Sequence, residues 1–124
     1  MPTSTSTSTV LILIQGRPND DPLGATGTVG LCIDKDTVVL IDAGDPWNGN
    51  EIIERLKFVE REVTHVVITH GHLDHCANMG LFPEAVQIMD HDVAVKRGKS
   101  IEYSTISKWP YRISENVEVR GRNS

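Results

Sequence analysis

Two cysteines in 124 residues are too few for a disulfide scaffold. Cys32 falls in an apolar strand-like run and reads as core, and Cys76 follows a histidine cluster, where a small inward-packing helix residue is the expectation. Long apolar runs are also missing. Val10 to Ile14 supplies only five such residues, too few for a signal-peptide core or a membrane span, so neither a targeting segment nor a membrane partner is expected. Positive charge is scarce as well: 12 Lys and Arg against 17 Asp and Glu give a formal net charge of −5, which argues against a broad nucleic-acid-binding face and leaves room for a local basic patch. With 39% hydrophobic and 23% charged residues the composition is that of an ordinary globular region, expected to be cytoplasmic and also nuclear.

Along the chain, residues 1–9 are a Ser/Thr repeat that cannot bury apolar surface and read as a disordered tail. One domain, or part of one, is expected over 10–119, with a polar C-terminal tail at 120–124. Val10 to Gln15 reads as a strand, followed by a turn-rich loop from Arg17 to Gly27. Thr28 to Ile33 and Thr37 to Asp42 read as a hairpin around Asp34-Lys35-Asp36. Asn50 is placed to cap an amphipathic helix running to about Arg61, with Ile52, Ile53, Leu56 and Val59 on one face. Strands are then expected at Val66 to Thr69 and at Ala85 to Met89, with His65 a hydrogen-bonded structural histidine. From Val93 to Tyr111 the pattern weakens. Lys96, Arg97, Lys99, Lys108 and Arg112, interleaved with Tyr103, Trp109 and Tyr111, read either as a phosphate- and base-binding groove or, preferably, as a solvated loop with aromatics on the sheet edge.

The chemistry is concentrated in Thr69-His70-Gly71-His72-Leu73-Asp74-His75, three imidazoles and a carboxylate in six residues after an apolar run. Neutral imidazole nitrogen and ionised carboxylate oxygen are ligands for divalent zinc, manganese or iron. Residues two apart in extended chain project to one side, so His70 and His72 can converge on one ion. Asp74 and His75 are consecutive and should diverge; a helical turn there would carry them to a second ion. Two ions about 3.5–4 Å apart can activate water and clamp the attacking and leaving oxygens of a hydrolysis. His91, between Asp90 and Asp92, reads as a turn residue rather than a ligand.

At these residues the sequence resembles the metallo-β-lactamase superfamily of hydrolases, whose signature is an HxHxDH run after a strand. Val38-Val39-Leu40-Ile41-Asp42-Ala43-Gly44 is similar to its strand ending in Asp-Thr-Gly, with Ala43 in place of Thr. The resemblance implies an α/β fold, the N-terminal half of an αββα sandwich with a mixed sheet and helices on one face. It implies metal ligation by His70, His72, Asp74 and His75, a Zn²⁺ cofactor with two ions in the complete domain, and Asp42 as a residue orienting the loop or a ligand imidazole. Asp74 would also orient the nucleophile.

Gly44-Asp45-Pro46-Trp47 and the run from His75 to Pro83 resemble a narrower branch of the superfamily, the metallo-β-lactamase domain-containing protein 1 group with its invertebrate relatives. That branch implies an endoribonuclease acting on RNA phosphodiesters of the histone pre-mRNA type. A hydroxyacylglutathione-hydrolase-like thioesterase is the alternative. The full fold takes more than about 200 residues, and the later ligands of the family cannot be placed here. The chain is therefore expected to be a partial domain, weakly active alone, homo-oligomeric through an uncovered apolar sheet face, or a non-catalytic truncated isoform.

Overall fold

Residues 8–121 are described by a computed structural model; residues 1–7, the bulk of the expected Ser/Thr tail, and 122–124 lie outside the described residues. Seven strands form one mixed sheet in chain order: β1 (Thr9–Ile14), β2 (Val29–Asp34), β3 (Thr37–Ile41), β4 (His65–Ile68), β5 (Val86–Met89), β6 (Asp92–Arg97) and β7 (Ser100–Thr105). The chain therefore enters β1 at Thr9, inside the segment expected to be tail. β3, β4 and β5 run parallel, because the connections between them are long enough to return the chain to the same end. The flanking strands pair antiparallel through tight turns. Helix α1 (Gly49–Val59) links β3 to β4, and a single turn, α2 (Leu73–Cys76), lies between β4 and β5.

Side-chain alternation gives the sheet two apolar faces. Val29 and Leu31 of β2, Val38 and Leu40 of β3, and Val66 and Ile68 of β4 turn one face towards Ile52 and Leu56 of α1, forming the main core. Burying an aliphatic side chain of this kind stabilises by about 1.5–3 kcal/mol. Ile53, expected on the packed face of the helix, is instead 37% exposed. The helix also starts earlier than the sequence indicates: Asn48, not Asn50, occupies its N-cap, because the preceding turn at Pro46–Asn48 feeds directly into it. It ends at Glu60, a left-handed residue whose N–H reaches Leu56 O.

The opposite face carries Val67, Val86, Ile88 and Val93, covered by Trp109, Tyr111 and Ile113. These last residues belong to the hairpin β8 (Tyr111–Ser114) and β9 (Val117–Val119) and the segment leading to it. Its fastening is polar. Asp34, 3% exposed at the end of β2, accepts hydrogen bonds from Ser114 Oγ at 2.6 Å, Asn116 N at 2.9 Å and Asn116 Nδ2 at 3.0 Å. Those bonds favour the ionised carboxylate, with the Asn116 amide contributing most, and hold the Asp34 pKa below its ordinary value. Asp34 is thus more than a turn residue; the β2–β3 turn itself is Lys35-Asp36, with Lys35 left-handed. Among the described residues no helix is long and apolar enough to cross a membrane.

Candidate metal centre

The parallel strands end at one edge of the sheet, and the residues that follow β3 and β4 are built against each other there. Asp42 follows β3 with φ +66°, a left-handed conformation uncommon outside glycine and asparagine or aspartate, and Gly44 repeats it at +68°. The resulting reversal aims the Asp42 carboxylate at the segment after β4. Asp42 Oδ1 accepts from Thr69 N at 2.7 Å, and both carboxylate oxygens lie within 3.0 Å of Thr69 Oγ1. Asp42 Oδ2 lies 2.7 Å from His75 Nδ1. Ala43, fully buried, gives its N–H to His75 O and accepts from Asn78 Nδ2 at 2.7 Å. Asn78 donates a second time, to Asp45 O, at 2.7 Å.

This clasp decides what His75 can do. A carboxylate against Nδ1 stabilises the tautomer protonated there, leaving the Nε2 lone pair outward; metal-ligating histidines are commonly oriented in this way. His75 Nε2 lies 3.4 Å from Asp74 Oδ2. Consecutive residues in extended chain would diverge; here the chain makes the helical turn α2, which with the pull of Asp42 on the His75 ring brings the two side chains together. His70 stacks on that ring with centroids 3.9 Å apart, and His72 meets His70 edge-on at 4.7 Å. Asp42, His70, His72, Asp74 and His75 are thus all brought to one place. His91 is not: it sits in the β5–β6 turn against Trp109, with ring centroids 5.5 Å apart. A cavity of about 630 Å³ lined by Thr69, His70, Asp90, His91 and Trp109 separates the two regions.

The donors suit a borderline divalent ion in type, and a further observation suits a cation. Asp45 is 5% exposed, and its Oδ2 is buried with no hydrogen-bond partner among the described residues. Burial, and then the charge of Asp74, push its pKa above the ordinary value. Three acidic groups, Asp42, Asp45 and Asp74, and three imidazoles share this corner, although among the described residues no three His, Cys, Asp or Glu side chains are grouped closely enough to hold a metal ion.

A model of the metallo-beta-lactamase superfamily matches residues 24–104. The chain belongs to this superfamily. It is 34% identical over 84 residues to metallo-beta-lactamase domain-containing protein 1 of Mus musculus, covering 65% of this chain and 32% of that protein. The protein of the same name from Xenopus laevis is 34% identical over 122 residues, covering 92% of this chain and 52% of the relative. The chain therefore spans about a third to a half of the length of these relatives. The crystal structure of a metallo-beta-lactamase family protein from Thermotoga maritima superimposes with a TM-score of 0.54 at 29% identity, over 64% of this chain and 42% of that one. A structure described as the peroxy diiron species of the chemotaxis sensor ODP shares the fold at 10% identity, with a TM-score of 0.51 over 95% of this chain and 55% of that one. The seven-stranded mixed sheet with its two helices is a fragment of the α/β metallo-beta-lactamase fold, and superfamily members bind metal ions, typically zinc.

Several residues of the site have no clear mark in the sequence. Asn78 lies inside the run resembling the narrower branch, yet nothing there reveals that its amide joins two loops. Gly27 reads only as the end of a turn-rich loop, whereas it forms the wall behind the α2 turn: a Cβ there would fall 2.3 Å from Asp74 O and 3.3 Å from His75 Cε1. His65 behaves as expected, hydrogen-bonded to Thr64 Oγ1 at 2.8 Å and held below its ordinary pKa by burial.

Proposed function

We propose that this superfamily hydrolase is a zinc-dependent endoribonuclease, acting on RNA phosphodiesters of the histone pre-mRNA type. The observation that carries the metal-dependent part is the Asp42–His75 contact, which leaves Nε2 free beside Asp74 and His70. His70, His72, Asp74 and His75 would hold the ion. A bound divalent ion supplies Lewis acidity and lowers the pKa of water towards neutrality. Asp42 keeps the Nδ1 proton of His75 and so fixes which nitrogen faces the site. Asp74, partly exposed, would accept a hydrogen bond from an attacking water and orient it.

RNA as the substrate rests on the resemblance to metallo-beta-lactamase domain-containing protein 1. The basic stretch adds little to it, since Lys96, Arg97 and Arg112 are paired with Glu84, Glu102 and Glu118. The test compares this chain with the same chain extended by the C-terminal part of the Xenopus laevis relative. Substrates are single-stranded RNA and a glutathione thioester, each with zinc and with chelator. Zinc-dependent RNA cleavage by the extended protein, abolished by Asp74→Ala, is expected. Thioester cleavage alone would replace the endoribonuclease reading with a thioesterase, and no hydrolysis of either would end the reading.

A further inference from the structure

Asp45 is the one buried acidic group in this corner whose carboxylate has an unassigned oxygen. Its backbone is fully occupied: the N–H reaches Asn48 Oδ1 at 2.8 Å, and the carbonyl accepts from Asn48 N at 3.0 Å and Asn78 Nδ2 at 2.7 Å. Pro46 follows, restricting the backbone further. The side chain is therefore held in place, 5% exposed, while Oδ2 finds no partner among the described residues. Burying a carboxylate oxygen without a partner is unfavourable, and such positions call for a missing proton, water or cation.

Two charged side chains act on it: Asp74 repels and Arg17 attracts. Arg17 is committed elsewhere, donating through Nε to Gly24 O at 2.9 Å and lying 3.9 Å from Asp21. The proton on His75 Nδ1 is directed at Asp42. Among the described residues no further cationic group acts on Asp45, and Gly27 closes the back of the Asp74 turn to any larger side chain.

We infer that Asp45 is a further acidic group of the metal centre, its free Oδ2 facing the divalent cation held at Asp74 and neutralised by it. The inference rests on the metal reading above and adds a residue to it. A buried acid that serves only as a structural turn residue would keep its cost whether or not metal is present. One that answers to the cation would not, so the two roles differ in how zinc changes stability.

The experiment measures zinc binding by calorimetry and melting temperature in chelator and in saturating zinc for the parent chain, Asp45→Asn, the exposed-turn control Asp36→Asn and the His70→Ala/His72→Ala double variant. Asp45→Asn should bind zinc about tenfold more weakly. It should melt above the parent in chelator, where a buried charge has been removed, and below it in zinc. Asp36→Asn should match the parent throughout. Zinc affinity within about twofold of the parent, or the same melting order in both media, would overturn the assignment. Binding lost in the double variant but intact in Asp45→Asn would overturn it while leaving the metal centre standing; no binding by the parent would overturn both. If Asp45→Asn does not fold, Asp45→Ser is read by the same criteria.

Discussion

Replacing Gly27 with alanine should move the turn that carries Asp74 and His75 without altering either side chain. The glycine is not in a left-handed conformation, so alanine meets no backbone penalty, and the effect is steric alone. Its Cβ would stand 2.3 Å from Asp74 O and 3.2 Å from Asp74 C, where an ordinary carbon–oxygen approach is about 3.3 Å. The atoms in the way are backbone, and the turn is tied through His75 to Asp42 and to Ala43 N, so it must retreat by about 1 Å against those bonds. Overpacking of this kind costs about 1–3 kcal/mol. In a domain of this size that lowers the melting temperature by roughly 5–15 °C. Because His75 Cε1 is also within 3.3 Å of the added methyl, zinc affinity should fall about tenfold or more. Thermal melts and zinc calorimetry on Gly27→Ala test this against Gly98→Ala, whose strain at φ +63° lies in the β6–β7 turn. The control should lose stability and keep its zinc affinity. A Gly27→Ala protein that melts within about 2 °C of the parent and gives the same zinc isotherm would refute the reasoning.

Asp42→Asn retains a residue that tolerates the left-handed backbone but cannot accept from Thr69 and His75 with both oxygens. Zinc affinity should drop by about 10–100-fold, and calorimetry showing no loss would remove Asp42 from the site. Asp34→Ala should free the β8–β9 hairpin, so that amide exchange at Tyr111–Val119 accelerates while α1 stays protected. Because the Asp34 pKa is lowered by its hydrogen bonds, its stabilising contribution is present above the ordinary value of 3.8 and is lost as pH falls through the lowered one. The acid limb of a stability profile should therefore shrink in the variant. His65 is depressed by burial, so the unfolded state binds more protons below its ordinary value of 6.5 and stability declines as the pH falls past it. His65→Gln should flatten that slope between neutral and mildly acidic pH, and an unchanged slope would assign it to other groups.

Much of this architecture is legible where burial is one-sided. The apolar runs of β1 to β5 and the helical spacing of Ile52 and Leu56 announce strands and a helix, because each contributes apolar side chains to one or other of the two clusters. The β6–β7 hairpin is not legible: β7 is exposed along its whole length, so its side chains carry no two-residue alternation of burial. At the site, the histidines and Asp74 are visible because their identities and spacing are local. Asp45, Asn78 and Gly27 are not, since their roles depend on segments of distant sequence meeting. The meeting of Asp74 and His75 follows from the helical turn that the sequence allows, but the capture of the His75 ring by Asp42, 33 residues away in the chain, does not show in it.

The Asp34 carboxylate and the Asn116 backbone that caps it are separated by 82 positions. At about 5–20 residues per second, a ribosome takes on the order of 4–16 s to make the intervening chain. During that interval β2 and β3 can pair and α1 can dock, because their partners already exist, while Asp34 waits for donors that have not been synthesised. Closing so long a loop costs entropy that only contacts around it can offset. Of the described elements the hairpin should thus dock last on the nascent chain and leave first under mechanical or denaturant stress, with its aromatic residues uncovered in both directions.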